Sequence, residues 1–444
     1  MNKEKINIFN KLAFLAFAVL IALIPYQAFI VTWARSLFNL NSFQFNIISL
    51  WKEYIIVLLA TVLIAAILKE RKLPFKVLWA DKYIILFSIL VIVYFFMFNQ
   101  PLAIKIAALR YDIEFLFIYI LARSFNISFF QLKKLLWILV ISSIPVIIFG
   151  LLQISMLPPE FMFNFGYERN LLEYSKTGII PTYDYISPLL PGIFRIQSTF
   201  PGALQYGSYL MFIILLFIAS LTRLKSKARI GLIVLLFFAL IALLATYTRG
   251  ALIGLGVGIF LTFLVNTKNK KRFLIYSFAT LIGSVLVLIA LFKIPTVQIL
   301  ILHGEIVNGS ILGSSTAHLA AFINGVGSVV TNFMGYGLGV VGPASKLSIQ
   351  PVMTENWYLQ LGIELGLLGV IIFTIIIGFF IKYLLSLYNE AKDDQKFLYL
   401  GVLASFVALC FINLFLHSFA DTATVYPLFI FIGILFSLNQ KELT

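Results

Sequence analysis

Long uninterrupted apolar runs recur from one end of this 444-residue chain to the other, and they constrain its fold more than any motif does. Each is about 20 residues long, enough for a helix to cross roughly 30 Å of hydrocarbon. The runs are continuous and do not alternate, so the backbone is satisfied within helices and not in a closed barrel. Only 11% of the residues are charged and 61% are hydrophobic, against about 25% charged in soluble domains. So much apolar surface needs lipid as its solvent. The chain reads as an all-α polytopic membrane protein of about 12 transmembrane helices. They fall near 12–33, 53–68, 83–98, 104–122, 135–154, 203–221, 230–246, 250–266, 273–293, 357–384, 397–417 and 422–438. The run from Leu12 to Trp33 is too long for a signal peptide and lacks a small-residue cleavage site, so it reads as the first span. No linker or repeat divides residues 1–444, which read as a single transmembrane domain.

Charge sets the expected orientation. With the N-terminus inside, most of the 33 Lys and Arg residues fall in inner segments, as the positive-inside rule requires. Both termini are then cytoplasmic, in the cytoplasmic (plasma) membrane. The net charge of +15 is explained by topology and not by nucleic acid. The lone Cys410 lies in an apolar run and gives no disulfide framework. Two outer segments are long, about 155–202 and 294–356. Both are fairly apolar and carry Pro and Gly, so they read as partly re-entrant or interfacial, folded over the outer end of the bundle.

Charges that topology does not explain mark function in a membrane protein. Arg195 lies in Phe194-Arg195-Ile196-Gln197-Ser198-Thr199-Phe200-Pro201-Gly202, just before the sixth span. Arg249 lies in the outer turn Thr246-Tyr247-Thr248-Arg249-Gly250, at the start of a helix, where amide dipoles favour anions. Each reads either as an interfacial anchor or as a ligand for a diphosphate, whose oxygens suit the guanidinium fork. Glu355, at the mouth of the tenth span, is either a capping carboxylate or a base that takes a proton from a hydroxyl. Around it stand Ser314-Ser315-Thr316-Ala317-His318, the Gly335-Tyr336-Gly337-Leu338-Gly339 element, and Asn356-Trp357-Tyr358. Glu364, deeper in that span, reads as paired within the bundle. In the fourth span Arg110 and Glu114 are four residues apart and can pair, while Asp112 needs another partner, Lys52 or Lys105. Arg110, Asn356 and Tyr358 are candidates for lining a cavity. His303 and His417 have no patterned neighbours and read as uninvolved. No acidic pair has metal-ligand spacing, and the first outer loop, Ala34 to Leu50, holds no carboxylate. That argues against membrane glycosyltransferases that keep an acidic residue and a metal there, so no metal and no cofactor are expected.

Three features occur in order on the outer side. They are the arginine before Thr199-Phe200-Pro201-Gly202, the turn Thr248-Arg249-Gly250-Ala251, and the long loop ending in Gly-x-Gly-x-Gly and Glu355-Asn356 before Glu364-Leu365-Gly366-Leu367-Leu368-Gly369. With them the sequence resembles the O-antigen polymerase/ligase family of membrane glycosyltransferases. The resemblance implies a C-type glycosyltransferase-like fold and an extracytoplasmic active site. The donor would be a polyprenyl-diphosphate-linked glycan, transferred to a glycan acceptor with inversion and without a metal. Arg195 and Arg249 would hold the diphosphate. Ligases of the family look to carry His-Asn where this chain has Glu355-Asn356, and a second loop arginine appears here as His318. Both departures suit a polymerase-like member, with Glu355 or His318 as the base and Glu355 favoured. Membrane lipid is the surroundings, and a chain-length regulator is an optional partner. The rivals are a ligase to a lipid or wall acceptor and a lipid-linked glycan transporter or flippase. A transporter calls for inverted repeats, and none is visible.

Overall fold

The apolar runs become helices in the computed structural model. It describes residues 3–71, 75–168, 180–183, 192–221, 223–224, 226–291, 293–294, 297, 305–307, 310–312, 314–348 and 350–442. The helices are α1 (Lys3–Leu23), α2 (Gln27–Leu37), α3 (Ser42–Ser49), α4 (Trp51–Glu70), α5 (Trp79–Met97), α6 (Leu102–Ser124), α7 (Phe129–Ser155), α8 (Ala203–Ser220), α9 (Ser226–Ala245) and α10 (Arg249–Asn266). They continue with α11 (Lys270–Leu291), α12 (Ser314–Thr331), α13 (Trp357–Glu390), α14 (Lys396–Ile412) and α15 (Thr422–Glu442). A hairpin of two three-residue strands, β1 (Glu305–Val307) and β2 (Ser310–Leu312), precedes α12.

Every expected span falls on a helix, and among the described residues 8 are long and apolar enough to cross a membrane. The first of these combines α1 and α2 across a 3-10 turn at Ile24-Pro25-Tyr26, where Pro25 lacks the donor a continuous helix would use. Helix α6 is not among the eight, because Lys105, Arg110, Asp112, Glu114 and Arg123 interrupt its apolar character. Helix α14 is apolar but shorter than the rest.

Burial separates central helices from peripheral ones. In α8, 78% of the apolar window is buried, against 22% in α4, α9 and α10, whose outward faces stay apolar. Helix α8 packs against α9, α10 and α14, and α6 packs along α15. Helix α10 closes onto its neighbours through glycines four residues apart. A Cβ at Gly254 would collide with Ile412 and Met211, and one at Gly258 would lie 2.5 Å from Leu215 Cδ1. Small residues allow such approach in lipid, where packing contacts must hold helices together.

The Arg110–Glu114 pairing expected from their spacing is not the main contact. Arg110 bonds Glu53 at the start of α4, and Lys52 bonds the same carboxylate at 2.5 Å. Lys105 donates to the carbonyls of Phe95 (2.9 Å) and Phe98 (3.4 Å). Neither lysine is therefore the partner of Asp112. Asp112 instead meets Glu364 of α13 in the bundle interior, both side chains fully buried. Helix spacing shows which residues share a face, but a partner on another helix wins when it offers better geometry. At the other end of α6, buried Arg123 binds both Asp81 oxygens and donates to the Lys76 carbonyl at 2.5 Å.

The segment before α13 folds back on itself. Gly325 faces Leu359 and Ile363, Gly362 faces Val329, and Gly366 faces Phe333 and Met334. Residue numbers rise together, so α12 runs parallel to the first turns of α13. The glycine arm Gly335–Gly339 then returns along the bundle, and its Tyr336 and Gly337 amides donate to the Ile363 and Glu364 carbonyls (2.7 and 3.0 Å). Those carbonyls are available because α13 breaks at Gly366 (φ 71°, ψ −175°), a conformation for which glycine is suited. The carbonyls freed at the break are thus paired within the protein.

Candidate active site

The arginine before α8 is placed by the end of α9. Ile196 N–H donates to the Ala245 carbonyl at 3.3 Å. Arg195 Nε donates to the Thr246 carbonyl at 2.9 Å, and its Nη2 reaches Thr248 Oγ1 at 3.4 Å. Thr248 Oγ1 also donates to the Ala203 carbonyl, at 3.0 Å. Gln153 of α7 holds the backbone beyond the arginine, with its Oε1 accepting from Gln197 N–H (3.1 Å) and Ser198 N–H (2.7 Å). Two motifs 50 residues apart thus form one unit. Its consequence is electrostatic. Burial pulls the Arg195 guanidinium down to about 10, and the like charge of Arg249 adds to the effect. Two cations held close together favour a multiply charged anion between them.

Glu355 lies on a turn tied to the loop between α14 and α15. Asn356 Oδ1 caps α13 by accepting from Leu359 N–H (2.9 Å), and its Nδ2 donates to the Leu414 carbonyl (2.9 Å). Trp357 N–H donates to the Asn413 carbonyl (2.9 Å). Thr354 Oγ1 and His417 Nε2 are 3.1 Å apart. The same loop reaches the arginine unit. Leu416 packs on Gly250, and Ser418 Oγ is 2.8 Å from Ser208 Oγ of α8. Residues 413–421 therefore touch the elements that carry Arg195, Arg249 and Glu355.

Three non-glycine residues in these motifs adopt left-handed backbone: Ser198 (φ 53°), Tyr247 (φ 49°) and Glu355 itself (φ 50°). Such conformations cost of order 1 kcal/mol or more and persist where surrounding structure enforces them. Arg195, Arg249, Glu355, His417 and Asp421 all keep partial solvent exposure. Protein nevertheless surrounds most of Arg195, His417 and Asp421. These groups are therefore held by protein and still reachable from solvent.

The other candidates divide. Asn356 is buried and committed to capping, and Tyr358 Oη donates to the Cys410 carbonyl at 2.8 Å, so both serve the fold. Arg110 belongs to the Lys52–Glu53 group. The His318 side chain and His303 lie outside the described residues. His417, without a pattern in the sequence, lies beside the Glu355 turn. Burial and the Lys346 charge pull its imidazole down to about 3, so it stays neutral. Lys346, whose charge acts on it, and Asp421, further along the same loop, were equally unmarked. The available signal was the polar break His417–Thr424 between two apolar helices. Among the described residues no three His, Cys, Asp or Glu side chains converge to hold a metal ion.

Residues 233–374 match the family model described as O-antigen ligase. This match supports an O-antigen polymerase/ligase family membrane protein. The match includes Arg249, His318, Glu355, Asn356 and Tyr358, while Arg195 precedes it and His417 follows it. No curated protein matches the sequence. The family supports a multi-pass membrane protein with ligase- or polymerase-like function, a glycosyltransferase-type enzyme acting on lipid-linked glycan.

Proposed function

We propose that this protein is a surface-polysaccharide polymerase. It would join polyprenyl-diphosphate-linked oligosaccharide units on the extracytoplasmic face of the plasma membrane, with both termini cytoplasmic and about 12 crossings. The observation that carries this reading is that one loop, residues 413–421, touches both the elements that carry Arg195 and Arg249 and the turn that carries Glu355. The acceptor hydroxyl attacks C1 of the donor's reducing-end sugar. The bond from C1 to the diphosphate oxygen breaks as the new C1–O bond forms, with inversion. Glu355 takes the hydroxyl proton, and the arginines neutralise the departing polyprenyl diphosphate, the role a divalent ion would otherwise fill. Confinement of both substrates to one leaflet supplies orientation. A glutamate in place of the histidine of ligase-like members favours polymerisation over transfer to a lipid or wall acceptor.

The test is a liposome assay with lipid-diphosphate oligosaccharide and EDTA. A ladder of longer glycans supports the polymerase. A single transfer to a lipid acceptor supports the ligase. Movement of the lipid between leaflets without a new glycosidic bond overturns the enzyme reading in favour of a transporter.

A further inference from the structure

Beyond the arginines and Glu355, the same loop meets a second group of polar residues. The turn Pro343–Leu347, carrying Lys346, packs against α6, and so does the turn Ser418–Ala420, flanked by His417 and Asp421. Helix α6 brings Tyr111 to the same place. The Asp421 carboxyl is within electrostatic reach of the Lys346 ammonium and the Tyr111 phenol, and Lys346 in turn acts on His417. Lys346, His417, Asp421 and Tyr111 each keep part of their surface open to solvent.

The two ends of this polar surface differ in charge. The arginine end has two like charges, which suits a diphosphate. The Lys346 end sets an acid beside an ammonium, with a neutral imidazole and a phenol, so it has little net charge but a dense mixture of donors and acceptors. A sugar presents that mixture, because each hydroxyl both donates and accepts. Burial also raises the Asp421 carboxyl to about 8, so near neutral pH it can donate as well as accept. The loop fixes the order of the parts. Leu416 faces Gly250 beside Arg249, His417 faces the Glu355 turn, and the Asp421 carboxyl lies within electrostatic reach of Lys346 and Tyr111.

We propose that Lys346, Asp421 and Tyr111 form the acceptor subsite, binding the hydroxyls of the acceptor's terminal sugar across Glu355 from the arginine pair. The proposal rests on the glycosyl-transfer reading. Its alternative is an ion pair that only staples two turns.

The experiment uses the full-length protein in liposomes. The donor is the lipid-diphosphate repeat unit, and the acceptor is a soluble alkyl glycoside of that unit, which lacks diphosphate and can only accept. Donor and acceptor concentrations are varied independently for wild type, Asp421→Asn, Lys346→Gln, Tyr111→Phe and the Asp421→Asn/Lys346→Gln double variant. Loss of charge-assisted hydrogen bonds should raise the acceptor KM by roughly tenfold or more, while the donor KM stays within about twofold, which also reports an intact fold. The double variant should keep the raised acceptor KM. A raised donor KM would assign this group to the donor, and a normal acceptor KM in the double variant would reduce the residues to a staple. Either result overturns the proposal. Unchanged acceptor KM in all variants, with wild type active, also overturns it but leaves the glycosyltransferase reading in place. Failure of wild type to form any glycosidic bond instead removes that reading.

Discussion

At the residue scale, the site depends on groups whose surroundings hold them in an uncommon state. Glu355 keeps a left-handed backbone, so its test must separate charge from conformation. Glu355→Gln keeps side-chain size and hydrogen bonding, and transfer should fall by about 10²–10⁴, the usual span for a lost general base. Equal loss of thermal stability in that variant would make the glutamate a structural part of the turn. Two neighbours give opposite pH dependences of stability. His417 is pulled down to about 3, so its neutral form stabilises the fold above about 6.5, and that contribution is lost as pH falls toward 3. Asp421 is raised to about 8. Its protonated form favours the fold, and this contribution declines as pH rises from about 4 through 8. Asp421→Asn should therefore gain melting temperature relative to wild type between pH 5 and pH 8.5. A pH-independent difference would mean that the carboxyl titrates as in the unfolded chain.

At the element scale, the parts that bring distant motifs together carry no reactive groups. The glycine arm occupies carbonyls released by the break at Gly366, and a Cβ there would run into the Phe333 carbonyl. Gly366→Ala should cost about 1–3 kcal/mol from backbone strain alone, and should lower transfer although no proposed site residue is changed. Full activity with normal melting would show that the break is not needed. At the other end of the bundle, Asp81→Ala leaves the buried Arg123 without its counter-ion. A loss of about 3–5 kcal/mol is expected from thermal or denaturant unfolding in detergent. The Asp81→Leu/Arg123→Met double variant should recover much of it, since replacing both charges by apolar groups removes the desolvation cost.

At the scale of the whole molecule, the sequence displayed the helices plainly, because lipid demands long apolar runs, and it displayed Arg195, Arg249 and Glu355 because charges at such places are rare. The loop of residues 413–421 stayed hidden. His417 and Asp421 have no spacing pattern, and their neighbours, Thr354, Lys346 and Tyr111, come from other elements. The Asp112–Glu364 contact was hidden for the same reason, since helix periodicity gives a face but not the helix opposite it. Orientation can be tested with single cysteines placed in the Cys410→Ala background. A cysteine replacing Leu347, an exposed residue next to Lys346, should react with an impermeant maleimide from outside intact cells, whereas one replacing Lys133 should not. The reverse pattern would invert the proposed topology. The central claim is that the arginine pair binds the diphosphate while Glu355 acts only in the chemistry. Equilibrium binding of a polyprenyl diphosphate to purified wild type, Arg195→Ala, Arg249→Ala and Glu355→Gln tests it most directly. Each arginine variant should bind at least about tenfold more weakly, from loss of a charge-assisted contact, and Glu355→Gln should bind like wild type while failing to transfer. Wild-type affinity in both arginine variants would contradict the account.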